Sequence, residues 1–148
     1  MSDNIQANKA FLGVDYGQKR IGLACASYPL FLSIPIGTIE REKNLDSIVT
    51  SLQKIIVERK ITCVILGNPL PMYKGQVSPL QKEIILLSER LKEVLHINVI
   101  LWDERLSSTQ AEKMLKQDCG LSRKQRTGKT DALAATLILS SFLESSLQ

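Results

Sequence analysis

The sequence contains few of the residues that build metal clusters and disulfide frameworks. Its 148 residues include one histidine, His96, and three widely spaced cysteines, Cys25, Cys63 and Cys119, with no Cys-x-x-Cys pair. A structural zinc site needs several Cys or His ligands at short spacings. The sequence therefore argues against structural zinc. Because Cys25 and Cys63 lie inside apolar runs, we predict that they are buried thiols in a reducing compartment.

Long apolar runs are also missing. No run approaches the roughly 20 residues that a membrane-spanning helix needs. The first ten residues are polar and contain no apolar core of a secretory signal. We therefore expect a cytoplasmic protein that has no membrane partner.

The overall composition is that of a globular protein. Hydrophobic residues make up 44% of the chain, and a chain of this length can bury a substantial core. We expect a single domain over residues 1–148, with residues 1–9 as a flexible N-terminus. The net charge of +4 at pH 7 permits a polyanionic partner without requiring one.

The pattern of apolar residues predicts a mixed α/β sheet. Three strands come first, with Gly17-Gln18 as the turn between the first two, and Pro35 marks the third as an edge strand. Helices and short apolar strands then alternate, which is typical of parallel strands with helices on both faces. The predicted strands cover residues 10–16, 20–26, 31–39, 61–66 and 97–102, and the predicted helices cover residues 45–60, 79–94, 109–118 and 130–145.

Acidic residues stand at the ends of these elements. Asp15 ends the first strand, Asp103-Glu104 follows the last strand, and Asp131 opens the final helix. Residues beyond the carboxyl ends of parallel strands line the crevice of an open sheet. Carboxylates that meet there repel one another unless a cation lies between them, and oxygen ligands favour Mg²⁺ or Mn²⁺. Two such ions would suit phosphodiester hydrolysis.

Each acidic residue also has an ordinary structural explanation. Asp15 could cap a turn, because Asp and Gly are common turn residues. Asp103-Glu104 could pair with Arg105. Asp131 could complement the dipole at the start of its helix.

A basic segment precedes Asp131. Residues 122–129 contain four cations and no acidic residue, and we predict a mobile loop that closes on substrate phosphates, with a solvated surface as the alternative. Other cations lie next to the acidic motifs. The candidate nucleic-acid-binding residues are Lys19, Arg20, Arg105, Arg123, Lys124, Arg126 and Lys129.

Several short motifs together resemble the YqgF (RuvX) family of bacterial Holliday junction resolvases, which have a ribonuclease H-like fold. The resemblance covers about Phe11 to Leu143, and Asn68 is a mild departure, because the family often has an apolar residue there. The motifs are Gly13-Val14-Asp15-Tyr16-Gly17, Arg20-Ile21-Gly22-Leu23-Ala24, Gly67-Asn68-Pro69, Asp103-Glu104-Arg105-Leu106-Ser107-Ser108 with Ala111, and Lys129-Thr130-Asp131-Ala132 with Ala134-Ala135.

This resemblance implies a nuclease that depends on a divalent metal. Asp15, Glu104 and Asp131 match the catalytic acids that hold Mg²⁺ or Mn²⁺, with Asp103 in place of or beside Glu104. The implied substrates are the pre-16S rRNA, processed at its 5′ end, and the four-way DNA junction. A protein of this fold that binds nucleic acid or pre-ribosomes without cutting is the alternative. The oligomeric state, monomer or homodimer, stays open.

One further resemblance leads to a different enzyme class. The Asp15-x-Gly17 hairpin is similar to the phosphate-binding hairpin of actin-like ATPases. Those enzymes need two such domains facing one nucleotide, and 148 residues provide only one.

Overall fold

The computed structural model describes residues 8–69, 77–103 and 123–146, and over residues 123–130 it describes only the backbone. Within these ranges the chain forms one five-stranded sheet with helices on both faces, which confirms the predicted mixed α/β fold. The strands are β1 (Ala10–Tyr16), β2 (Arg20–Ser27), β3 (Ile34–Glu40), β4 (Cys63–Asn68) and β5 (Asn98–Asp103). The helices are α1 (Leu45–Glu58), α2 (Pro79–Leu95) and α3 (Arg123–Ser146).

The strand order in the sheet is β3-β2-β1-β4-β5. The pairs β1–β2 and β2–β3 are antiparallel, whereas β1–β4 and β4–β5 are parallel. The meander and the parallel portion therefore share β1 as their central strand. The carboxyl ends of β1, β4 and β5 lie at one edge of the sheet, as the sequence predicts.

Alternation along β1 divides the core into two layers. Leu12, Val14 and Tyr16 project to the face that α1 and α2 cover, and they pack in one cluster with residues such as Leu52 and Leu87. Phe11 projects to the other face, where the cluster includes Ala24, Ile65, Ala135, Ile138 and Leu139. Among the described helices, only α3 covers this second face. Side chains of α3 that face the sheet therefore lie over the odd-numbered residues of β1.

The first two helices begin where their capping residues predict. The Asn44 side chain accepts a hydrogen bond from the backbone N–H of Asp46 at 2.8 Å. The Ser78 hydroxyl accepts from the backbone N–H of Gln81 at 3.1 Å, and Pro79 follows in the first turn. Both arrangements satisfy amide groups that a helix leaves unpaired at its start.

Strand β3 starts three residues later than predicted. Phe31 has a left-handed backbone, with φ of 49°, so the apolar run from Phe31 cannot be one continuous strand. Its ring packs edge-on against Phe11, with 6.0 Å between the ring centroids. Strand β3 lies at the edge of the sheet, where Pro35 removes no hydrogen bond from an inner ladder.

Helix α3 starts earlier than predicted, at Arg123. The prediction of a basic loop over residues 122–129 is therefore wrong for the backbone from Arg123 onward. Arg, Lys and Gln are good helix formers, and Gly128 costs only about 1 kcal/mol relative to Ala. The helix predicted over residues 109–118 lies outside the described residues.

Two predictions from the composition can be compared with the described part of the chain. None of its helices combines the length and the apolar character needed to cross a membrane. Cys63 is buried, as predicted, and burial raises the pKa of its thiol. Cys25 is only half-buried, so the prediction of a buried thiol is wrong for this residue.

Candidate active site

Asp15 lies at the carboxyl end of β1, on the face that α3 covers. Only 7% of the residue is exposed. It pairs with Gly22 on β2, and paired residues of antiparallel strands project to the same face. Because Gly22 has no side chain, the surface next to the Asp15 carboxylate is bare backbone.

Helix α3 rests directly on that bare backbone. A Cβ atom built on Gly22 would lie 1.9 Å from the carbonyl oxygen of Asp131. On β1, two residues before Asp15, a Cβ atom on Gly13 would lie 2.8 Å from the Cβ of Leu139. The two glycines thus allow the helix to approach the sheet closely. This approach places Asp131 on the same face of the sheet as Asp15, with Asp15 paired with Gly22 and the Asp131 backbone over that glycine.

The Asp131 carboxylate faces the turn between β1 and β2. Its Oδ2 atom accepts a hydrogen bond from Nε of Arg20 at 3.0 Å. Its Oδ1 atom lies 3.8 Å from the position that a Cβ of Gly17 would occupy. Asp131 is eight residues beyond the start of α3 at Arg123, too far to complement the helix dipole, whose effect falls off within the first turn.

The turn itself is closed by Gly17. Its backbone N–H donates to the carbonyl oxygen of Arg20 at 3.0 Å. A Cβ atom at Gly17 would approach the same oxygen to 2.5 Å. Gly17 therefore allows a tight turn, and this turn holds Arg20 next to Asp131.

Asp103 projects to the opposite face of the sheet. Its neighbour Trp102 lies on the α3 face, where its ring N–H donates to the Ser141 hydroxyl at 3.2 Å and its ring packs on Phe142. Successive strand residues alternate between faces, so Asp103 shares the face of its β4 partner, Asn68. The structure does not bring Asp103 to the side of Asp15.

Other predicted site residues fall outside what is described. Glu104 and Arg105 lie beyond the described end of β5. Arg123, Lys124, Arg126 and Lys129 are placed by their backbone in the first two turns of α3, before Asp131. Lys19 lies in the turn between β1 and β2. Within the described ranges, no group of three or more His, Cys, Asp or Glu residues is arranged to hold a metal ion.

Tyr16, Arg41 and Glu83 form a polar cluster that the sequence did not reveal. The Tyr16 hydroxyl donates to Oε2 of Glu83 at 3.0 Å and accepts from Nε of Arg41 at 3.3 Å. Arg41 also forms an ion pair with Glu83, and its guanidinium carbon lies 4.9 Å from the centre of the Tyr16 ring. The cluster ties the end of β1 to α2 and to the end of β3.

This environment changes the acid–base behaviour of Tyr16. Burial raises the pKa of the phenol, Glu83 raises it further, and Arg41 opposes the change without reversing it. The three residues come from separate segments, with Tyr16 and Glu83 67 positions apart. The only local signal was an aromatic residue with a polar end at the end of a buried strand.

Comparison with known proteins gives a family and a set of relatives. Residues 9–145 match the family RuvX, described as "Holliday junction resolvase". Relatives named "Putative pre-16S rRNA nuclease" include one from Chlamydia pneumoniae, 66% identical over 137 residues, which cover 93% of this chain and 91% of the relative. One from Chlamydia felis is 64% identical over 141 residues, 95% and 94% of the two chains. One from Chlamydia trachomatis serovar L2 is 58% identical over 137 residues, 93% of each chain.

Solved structures of Thermus thermophilus RuvC have a similar fold. RuvC alone superimposes with a TM-score of 0.57 at 11% identity, over 92% of this chain and 95% of RuvC. RuvC in complex with a Holliday junction substrate gives a TM-score of 0.58 at 12% identity, over 93% and 95%. Identities this low show the fold alone, and the predicted ribonuclease H-like architecture is confirmed. The match over residues 9–145 and the relatives more than half identical show that this chain belongs to the RuvX (YqgF) family of nucleases.

Proposed function

We propose that this protein is a divalent-metal-dependent nuclease that hydrolyses phosphodiester bonds at the 5′ end of pre-16S rRNA in the cytoplasm. The observation that carries the proposal is that Asp15 and Asp131 lie on one face of the sheet, with Asp15 paired with Gly22 and the Asp131 backbone packed on the same glycine. The names of the relatives favour RNA as the substrate. The family description favours the four-way DNA junction as a second candidate. Both core layers share one sheet, which supports a single domain over the chain.

The donor atoms suit Mg²⁺ or Mn²⁺. Asp15 and Asp131 offer only carboxylate oxygens, which these hard cations prefer.

We assign the third ligand to Glu104 by motif match and not to Asp103. Strand alternation supports this choice, because Trp102 shares the face of Asp15 and Asp103 does not. The proposed metal ligands are therefore Asp15, Glu104 and Asp131. Two divalent ions held by these residues would supply an activated water and would stabilise the charge that develops on the phosphate.

The cations near this site would orient Asp131 and hold the substrate. Arg20 fixes the Asp131 carboxylate through Oδ2, which defines the direction in which Oδ1 is presented. Lys19 lies in the same turn, and the cations at the start of α3 precede Asp131 along the helix. These groups would hold the phosphates on either side of the scissile bond by charge, without reading the sequence.

The test compares cleavage with and without metal. A 5′-labelled pre-16S rRNA fragment and a labelled four-way DNA junction are incubated with the parent protein in Mg²⁺, in Mn²⁺ and in EDTA. We expect the parent to cleave the RNA only when metal is present. Asp15→Asn and Asp131→Asn should each reduce this cleavage by at least about 100-fold. Asp46→Asn is the matched control, because Asp46 lies exposed on α1 and pairs with Arg90.

Two results would contradict parts of the proposal. RNA binding by the parent without cleavage in any metal would favour a non-catalytic nucleic-acid or pre-ribosome binding protein. Cleavage of the junction alone would move the substrate to branched DNA, for which a homodimer would suit the two symmetric cuts better than a monomer. The mass of the active species in solution distinguishes these oligomeric states.

A further inference from the structure

A cavity of about 500 Å³ opens on the face of the sheet opposite the candidate active site. Its size lies within the range of roughly 300–1,000 Å³ that is common for small-ligand pockets. Tyr16 lines the cavity, and Asp15 precedes it in β1. Because successive strand residues project to opposite faces, the cavity and the Asp15 carboxylate lie back to back at one edge of the sheet.

The cavity has an apolar floor. Leu45 and Ile48 of α1 and Leu86 of α2 form it. Leu86 is 52% exposed, whereas Leu87, the next residue, is fully buried in the core. Leu86 therefore presents apolar surface to a ligand that enters the cavity.

The polar wall is held rigidly. The Arg41 guanidinium donates to the Tyr16 hydroxyl at 3.3 Å and to the carbonyl of Gln18 at 3.1 Å, and it pairs with Glu83. These contacts fix the guanidinium plane over the Tyr16 ring. A planar cation held in place next to apolar side chains is a surface on which nucleobases stack.

The rim carries groups of both signs. Lys43 is an exposed cation, and Glu42 is an exposed acid beside it. Carboxylates accept hydrogen bonds from the amino groups of bases, and an exposed lysine contacts phosphate. The lining suits a ligand that has a flat polar ring at one end and a phosphate at the other.

We propose that this cavity binds an unpaired nucleotide of the substrate strand, with its base on the floor and its phosphate against Lys43. This inference rests on the proposed function, because it assigns a position to part of the same nucleic acid. Residues 17–19 form the turn that joins β1 and β2 at this edge of the sheet. A strand whose scissile phosphate lies at Asp15 can cross this turn and place a nearby nucleotide in the cavity.

The test measures binding in EDTA, where no metal-dependent cleavage occurs. The full chain is titrated against two fluorescent RNAs, a blunt duplex and the same duplex with an unpaired single-stranded extension. We expect the parent to prefer the extended RNA. Leu86→Glu and Lys43→Gln should each weaken binding of the extended RNA, by about tenfold for Leu86→Glu, and leave binding of the blunt duplex unchanged.

Matched controls come from the same helices. Val94→Glu lies two turns along α2 from Leu86, with Val94 47% exposed, and Lys54→Gln lies on the exposed side of α1. Neither residue lines the cavity, so both variants should bind as the parent does. Thermal melting checks that all four variants are folded.

Photo-crosslinking then locates the base. Extended RNAs with 4-thiouridine at single unpaired positions should crosslink to peptides that contain Tyr16 or Leu86. Equal binding of the extended RNA by the parent and by Leu86→Glu, or crosslinks confined to peptides of α3, would overturn the pocket and leave the proposed function standing. If the parent binds neither RNA and no junction DNA, the proposed function fails, and the pocket fails with it.

Discussion

The backbone carbonyl of Asp131 lies over Gly22, 1.9 Å from the position of a Cβ atom on that residue. No residue other than glycine fits there without a shift of the backbone. The contact sets where α3 meets β2 and therefore how far Asp131 lies from Asp15. A glycine inside a strand usually weakens the strand. Here Gly22 allows α3 to pack closely and so determines the position of Asp131.

Gly22→Ala should therefore destabilise the protein. In a strand free of clashes, replacing Gly by Ala would stabilise by about 0.4–1 kcal/mol. The collision with the Asp131 backbone should outweigh this gain, and we expect a net loss of about 1–3 kcal/mol in the free energy of unfolding. Urea denaturation measures it. Thr38→Ala is the control, because Thr38 pairs with Gly22 in the same row of the sheet and is exposed. Equal stabilities of the two variants would contradict the close approach of α3.

Arg20 should oppose the binding of a divalent cation at Asp131. The guanidinium already holds one carboxylate oxygen at 3.0 Å, and its positive charge repels an incoming cation. We expect Arg20→Gln to increase Mn²⁺ affinity about three- to tenfold while it weakens RNA binding. Paramagnetic titration with Mn²⁺ in the absence of RNA measures the first effect. Lys54→Gln on α1 controls for the loss of one positive charge. Unchanged or weaker Mn²⁺ binding by Arg20→Gln would show that Arg20 does not compete with the metal.

Tyr16 should make the protein less stable in alkali. Its pKa is raised above the usual value of about 10, so above pH 10 the unfolded chain loses the phenolic proton more readily than the native protein. The contribution is fully present below pH 10 and is lost as pH rises through the native pKa. We expect the free energy of unfolding to fall less steeply in Tyr16→Phe than in the parent as the pH rises above about 10.

Denaturation at a series of pH values provides this comparison. Tyr28→Phe is the control, because Tyr28 is 43% exposed and lies outside the cluster with Arg41 and Glu83. It should keep the alkaline slope of the parent. If Tyr16→Phe and the parent lose stability in parallel, the raised pKa of Tyr16 does not contribute to the pH dependence.

The cations at the start of α3 should bind nucleic acid without regard to sequence. Replacing Arg123, Lys124 and Arg126 with Ala preserves helix propensity and removes three positive charges. We expect weaker binding of both RNA and junction DNA. The slope of log affinity against log salt should flatten by about 0.7–0.9 for each phosphate that the variant no longer binds. Binding measured at several salt concentrations tests this, with the melting temperature as the check on folding. An unchanged slope would make the segment a solvated surface, and Lys19 and Arg20 would be tested next.

Much of the fold follows from short-range patterns. The apolar runs of β1 and β4, the turn at Gly17, and the caps at Asn44 and Ser78 each depend on neighbours within a few residues, so the sequence alone predicts them. The motifs also identified the family. The predicted start of β3 was wrong because no local signal indicates the left-handed backbone of Phe31. The predicted start of α3 was wrong because the basic run was interpreted as a loop, although its residues are good helix formers.

The tertiary structure alone decided how distant segments meet. The register of β1 with β2 places Asp15 beside Gly22, and the packing of α3 places Asp131 over the same glycine. Arg20 and Asp131 are 111 positions apart, and Tyr16 and Glu83 are 67 apart. Local propensity determines which residues form strands and helices. The close packing of a helix on a bare glycine determines which of the acidic residues share a face, and this depends on the shapes of surfaces that exist only once the chain has folded.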